Sequence, residues 1–226
     1  TTLMHEETIM QAQTEANAIE AAARTELARS AISWGVDAMV AQSASVMGLV
    51  ARRARFADLV IQPKPYGEGQ YSDAPVIVEA AIFNGNAPVI VLAKGVAPSG
   101  RPDRIVIAWN ESAEAMAAVR HAIPLLKAAR EVDICIIAPE RHSPEVADPG
   151  AELSRMLSRH GVKVSVSILA QTLPRVSEMI ARHVSDSDAD LLVMGAYGHS
   201  RFREAILGGA TRNMLEHATV PVFMAH

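Results

Sequence analysis

The chain has 226 residues, half of them apolar and a fifth charged, with a net charge of −4. That supplies one large core or two small ones, and charges of both signs interspersed along the chain leave no basic face for nucleic acid. No charge-free stretch is longer than 80–93, which is interrupted by Asn84, Gly85, Asn86 and Pro88 and falls short of the about 20 apolar residues that span a bilayer.

Glu6 and Glu7 stand where a signal peptide would be cationic, so a cytoplasmic protein without membrane contact is expected. The first residue is threonine, not methionine, and a natural start further upstream is expected. Residues 4–30 read as one long helix, with Ile9, Ala12, Ala16, Ile19, Ala23 and Leu27 recurring at three- and four-residue steps. Residues 31–36 read as a strand, 43–53 as a helix and 58–62 as a strand that runs into Gln62-Pro63-Lys64-Pro65. Residues 67–72 read as a flexible loop, and 88–92 as a short apolar strand whose leading proline suits an edge. Gly95, Pro98, Gly100 and Pro102 then mark a linker over 96–102.

Beyond the linker, strands and helices alternate. Residues 104–109 read as a strand, and 112–129 as a helix that Ser112 can cap. Residues 132–138 form the next strand pattern and hold the lone cysteine, Cys135, which reads as a core thiol in preference to a redox group. A helix over 150–160 ending at Gly161, a strand over 162–169, a helix over 173–185 and a strand over 191–194 follow. Such alternation implies a parallel sheet with helices on both faces.

The last of these strands stops on Gly195. Gly195 and Gly198 are separated by two residues, and nine more lead to Gly208, Gly209, Ala210 and Thr211. Glycines between a strand and a helix let bare backbone N–H groups approach an anion, with the helix N-terminus adding favourable partial charge. Turn chemistry or close helix packing explains the same glycines without a ligand. His199, Ser200, Arg201 and Arg203 lie in the loop that would cover phosphates. Gly198-His199-Ser200 is half of a nucleophile elbow, but Phe202 occupies the last glycine's place, which argues against a hydrolase. The eight histidines include no i, i+4 pair, so no metal site is read.

Two segments repeat. Residues 57–61 (Ala-Asp-Leu-Val-Ile) match 189–193 (Ala-Asp-Leu-Leu-Val), and 87–93 match 220–226, at nearly one offset. The repeat suggests a tandem pair of units, the first spanning 1–95 and the second 103–226. The first has no counterpart of the strand at 104–109. Both final strands begin with proline, which suits an edge, and they are expected to cover each other within one chain, making an intramolecular pseudo-dimer; exchange of those strands between chains would make a homodimer.

Read together, the segments 193–201 and 207–212 and the closing 217–224 resemble the universal stress protein family, well from Asp103 onward and faintly before it. The resemblance implies an α/β fold of two units, each an open parallel sheet of order 3-2-1-4-5, with a ligand crevice at the carboxyl ends of strands one and four and with the two final strands, 88–92 and 221–224, paired antiparallel. It implies ATP or another adenine nucleotide as the ligand of the second unit. The residues it points to are Ala108, Trp109, Asn110, Ile137, Met194, Gly195, Gly198, His199, Ser200, Arg201, Gly208, Gly209, Ala210 and Thr211. The family's nucleotide-binding branch ends its first strand in an aspartate, where this chain has Asn110, a poorer magnesium partner. It also places a hydroxyl directly after the third glycine, where this chain has Gly209. Trp109 either stacks on a base or fills the pocket. Pro63 and Pro65 remove the donors a phosphate cradle would need in the first unit. Enzymatic turnover beyond weak ATP hydrolysis is not expected, because no metal-binding aspartate is present. The other reading is an interaction or dimerisation module that binds no nucleotide.

Overall fold

The computed structural model describes residues 2–67, 70, 72–93, 95, 100–137, 148–196 and 209–226. The chain divides into two compact units, Thr1–Val46 and Met47–His226. In the first, α1 (Thr2–Leu27) is a single 26-residue helix. Pairs one turn apart line it, among them Arg24 with Glu20 at 2.7 Å, and the Arg24 guanidinium also donates to the Val36 carbonyl at 3.0 Å. The apolar stripe does not become a core: Ile9 is 48% exposed and Ile19 61%. The strand expected over 31–36 is not formed. Among the described residues this unit contains no other strand to pair with it, and an unpaired strand leaves its backbone groups unsatisfied.

The second unit is built on one sheet. Helix α2 (Ser43–Ala54) crosses the boundary and leads to β1 (Val60–Pro63), α3 (Ala74–Glu79) with a π-helical extension (Ala80–Asn84), and β2 (Val89–Leu92). There follow β3 (Arg104–Ala108), α4 (Ala113–Ala128), β4 (Glu131–Ile137), α5 (Ala151–Arg159) and β5 (Val164–Leu169). The chain closes with α6 (Val176–Asp186), β6 (Leu191–Gly195), α7 (Gly209–His217) and β7 (Val222–Ala225). The strand order is β1-β2-β7-β6-β3-β4-β5. Every neighbouring pair is parallel except β2 and β7, which run antiparallel with Val89 opposite Met224, Ile90 opposite Phe223 and Val91 opposite Val222.

This corrects the expectation of two five-stranded sheets. There is a single sheet of seven, to which residues before the linker contribute two strands, because they hold no counterpart of β3 and form no strand over 31–36. Counted by themselves, the five strands after the linker lie in the order 3-2-1-4-5.

Both faces of the sheet are covered, so its central strands are apolar on both sides. Val106, Cys135, Leu192, Met194, Val222 and Met224 face a core completed by Ile180 and Val184 of α6 and by Met214 and Leu215 of α7. Ile105, Ile107, Ile134, Val193 and Phe223 face the other core, beneath α4 and α5. Among the described residues no helix is long and apolar enough to cross a membrane.

Two expected outcomes follow from this packing. The antiparallel junction lies inside the sheet, so the amides of 89–92 and 222–225 should exchange among the slowest in the protein; rapid exchange throughout both strands would show them to be unpaired edges. Cys135 is 1% exposed, and burial, with Asp133 adding to it, pushes its thiol up to about 12. Since the thiolate is the reactive form, alkylation at pH 8 should proceed only as fast as the protein unfolds, and labelling of the native protein faster than that would refute the burial.

Candidate functional site

The site is positioned by where the strand order reverses. From β3 the chain goes by way of α4 to β4 on one side, while β6 pairs with the other side of β3, Ala108 opposite Met194. In open α/β sheets, ligands bind outside the carboxyl ends of strands at such a switch point. The amino ends of the same two strands are locked by Asp190, whose carboxylate accepts the backbone N–H of Asp103 at 2.7 Å and of Arg104 at 3.1 Å. The Arg104 guanidinium in turn reaches Glu131 and the Ser187 carbonyl.

At the carboxyl end, each residue after β3 has a local task. The Trp109 N–H donates to the Cys135 carbonyl at 2.9 Å. Its side chain is 8% exposed and belongs to the core beneath α4 and α5, so the indole fills space in the protein and offers no open face for a base. Asn110 is exposed, and its Oδ1 accepts the Ser112 N–H at 3.2 Å across Glu111, which sits at φ 61°. Ser112 caps α4, its Oγ accepting the Ala115 N–H at 3.1 Å. The amide Nδ2 of Asn110 has no hydrogen bond among the described residues.

Gly195 ends β6 against that same helix entry. A Cβ there would lie 2.5 Å from the Ala115 nitrogen and 2.7 Å from the Glu114 carbonyl carbon, so the glycine permits backbone-to-backbone contact between strand and helix. Ala196, 0% exposed, continues into the core, donating its N–H to the Ala225 carbonyl at 2.9 Å, and its own carbonyl lies 3.0 Å from His226 Nδ1.

The structure thus brings together Ala108, Trp109, Asn110, Met194 and Gly195. Ala108, Met194 and, at the end of β4, Ile137 pack on the face covered by α6 and α7. Gly209 opens α7 and is exposed, Ala210 follows it in the helix, and Thr211 is 4% exposed. Gly198, His199, Ser200, Arg201 and Gly208 lie outside the described residues.

Two polar clusters escaped the reading of the sequence. The Asp133 carboxylate, on β4, lies 2.7 Å from His183 Nε2 and accepts the hydroxyls of Ser165 and Ser167 at 2.8 and 3.0 Å. Its signals were the charge inside the apolar run 132–137 and the alternating serines of β5. Both hydroxyls bind the carboxylate and not the imidazole, so neither serine is activated as a nucleophile. The second cluster follows β1. Arg212 of α7 lies over the Tyr66 ring, 5.3 Å from its centroid, and burial pushes the phenol up to about 12. Tyr66 Oη and Oε1 of Gln62 in β1 are buried without a hydrogen-bond partner among the described residues. Among the described residues no group of three or more His, Cys, Asp or Glu side chains is placed to hold a metal ion.

Residues 102–226 match the model of the universal stress protein family. A universal stress protein of Synechocystis is 30% identical over 89 residues, which are 39% of this chain and 30% of that protein. The chain therefore spans less than a third of that relative's length. The crystal structure of a universal stress protein from Archaeoglobus fulgidus superposes with a TM-score of 0.59 at 19% identity, over 79% of this chain and 64% of that one. A universal stress protein structure from Pseudomonas aeruginosa gives 0.62 at 17% identity, over 92% and 77%. At such identities these two structures show likeness of fold.

The role of Gly195 is testable apart from any ligand. Gly195→Ala should destabilise the protein by about 1–3 kcal/mol, since the added methyl meets backbone that cannot rotate away. Urea denaturation measures it, and an unchanged midpoint would mean that α4 and β6 separate without cost.

Proposed function

The chain belongs to the universal stress protein family, and we propose that residues 103–226 bind one adenine nucleotide at the carboxyl ends of β3 and β6. The observation that carries this reading is the switch point itself: β3 and β6 lie side by side with Ala108 opposite Met194, and the glycine-rich stretch starts at that end of β6. The adenosine would lie beside Ala108, Met194, Ile137 and Asn110. The phosphates would take backbone N–H groups from the stretch of Gly195, Gly198, Gly208 and Gly209, with Ser200, Thr211, His199 and Arg201 as further donors and Ala210 in the first turn of α7.

Asn110 gives the reading its particular chemistry. Its Oδ1 already serves Ser112, which leaves Nδ2 as a donor toward a ribose oxygen or a ring nitrogen. The side chain carries no charge for magnesium, so the nucleotide would be held as a ligand and hydrolysed weakly or not at all. In this reading residues 1–95 form the degenerate first unit of a tandem pair, joined by the linker 96–102. Pro63 and Pro65 follow β1 where Gly195 ends β6, and they cannot donate. The protein would be a cytoplasmic stress-response factor that reads nucleotide levels, alone or as a homodimer.

A second reading, an interaction module without nucleotide, is favoured by one specific set of contacts. Trp109, Asn110 and Gly195 are each engaged within the protein itself.

Mass spectrometry of small molecules released from freshly purified protein, followed by titration calorimetry with ATP, separates the two. The expected result is one nucleotide per chain, with binding lost in Gly198→Val while the melting temperature holds. No released nucleotide and no heat of binding would overturn the first reading in favour of the second, and a stoichiometry of two would contradict the assignment of a single site.

A further inference from the structure

The chain leaves β6 through Ala196, and both backbone groups of that residue are held by the end of β7. The Ala196 N–H donates to the Ala225 carbonyl at 2.9 Å, beside the ladder position where Gly195 pairs with Ala225. The Ala196 carbonyl lies 3.0 Å from Nδ1 of His226. A carbonyl only accepts, so this imidazole nitrogen carries the proton. The first peptide after Gly195 is thereby fixed on both sides.

The imidazole is seated by a residue from before the linker. Its ring meets that of Phe83 edge-on, with centroids 4.8 Å apart and planes at 71°. Phe83 belongs to the π-helical extension of α3, closed by the Gly85 N–H on the Ala80 carbonyl at 2.8 Å. π-Helical turns of this kind recur at functional sites. Gly85 is itself packed close, since a Cβ there would lie 2.6 Å from Ala54 Cβ at the end of α2 and 2.7 Å from the Ala81 carbonyl oxygen. The repeat places this arrangement in one half only. Residues 87–93 match 220–226, which sets Ala93 against His226. The half with Ala93 is also the half with Pro63 and Pro65, and the half with His226 is the one that keeps Gly195 and Gly198. A histidine needed only to finish a strand gives no reason for that difference.

We propose that His226 is a positioning residue for the phosphate end of the nucleotide site and that Phe83 seats it, so that residues before the linker serve a site in the segment after it. The inference rests on the nucleotide reading given above. In this role the imidazole acts through the Ala196 peptide, the point from which the glycine-rich stretch starts. A donor whose position is fixed beforehand binds without the cost of ordering it.

The test uses the 226-residue chain with ATP as probe. Nitrogen-15 NMR of the free chain at pH 8, with the His226 signal identified by its loss in His226→Asn, should show the imidazole proton on Nδ1; a proton on Nε2 overturns the proposal. Titration calorimetry should show ATP bound about three- to tenfold more weakly by His226→Phe, which keeps a ring beside Phe83 and loses the donor, the cost of about one hydrogen bond. His226→Asn, whose amide replaces the Nδ1 donor, should restore nearly wild-type affinity. Phe83→Ala should weaken binding in the wild-type chain and change nothing further in His226→Phe, where no donor is left to seat. Wild-type affinity in His226→Phe, no rescue by His226→Asn, or equal losses from Phe83→Ala in both backgrounds overturns the proposal and leaves the nucleotide reading standing. Absence of ATP binding by the wild-type chain overturns both.

Discussion

Everything in the second unit hangs on the ladder between β2 and β7. It is the one antiparallel contact in a sheet otherwise parallel throughout, and it joins a two-stranded piece to a five-stranded one. A two-stranded piece is not stable in water by itself; attached, it buries Val89 completely and Val91 nearly so, on a face shared with Val222 and Met224. Each such side chain contributes about 1.5–3 kcal/mol. The short strands suffice because the junction brings them a core already built by α6, α7 and the strands of the larger piece.

The same economy governs the switch point. A ligand site between β3 and β6 needs their ends fixed relative to each other, and the chain fixes both. Asp190 sets the register at the amino ends through two backbone amides. Gly195 and the Ser112 cap set the approach of α4 at the carboxyl ends. The groups that do this are drawn from the residues proposed to bind the ligand, which leaves fewer of them as free donors. Trp109 shows it most plainly, since an indole that could stack on a base instead fills the space under α4.

How much of this was legible depended on whether the signal was local. The capped helix at 113–128, the Gly161 end of α5 and the apolar strands after residue 103 were all readable, because capping, turn chemistry and hydrophobic alternation act within a few residues. The pairing of the last strands was readable from their repetition. The strand over 31–36 was not, because its apolar pattern was local but its partner had to come from elsewhere. The stripe on α1 failed for the same reason: periodicity names a face, and only tertiary contact makes it a core. Asp190 stood in the sequence as a charge in front of a strand; that it grips amides 86 and 87 residues away could be seen only in the fold. Of the glycine motif, Gly195 was read as an anion-binding turn or a plain strand end, and the fold uses it for close packing against the entry of α4, roles that sequence spacing does not separate.

Asn110 joins these levels. Were it an aspartate, its carboxylate would accept the Ser112 N–H more strongly and would bring a negative charge to the mouth of the site. As an amide it keeps the turn into α4 and offers a donor where a carboxylate would offer only acceptors. One side chain therefore serves the helix entry with one atom and leaves the other for whatever approaches the ends of β3 and β6. In the proposed binding mode, an acceptor is favoured near this residue and a metal-bridged group is not.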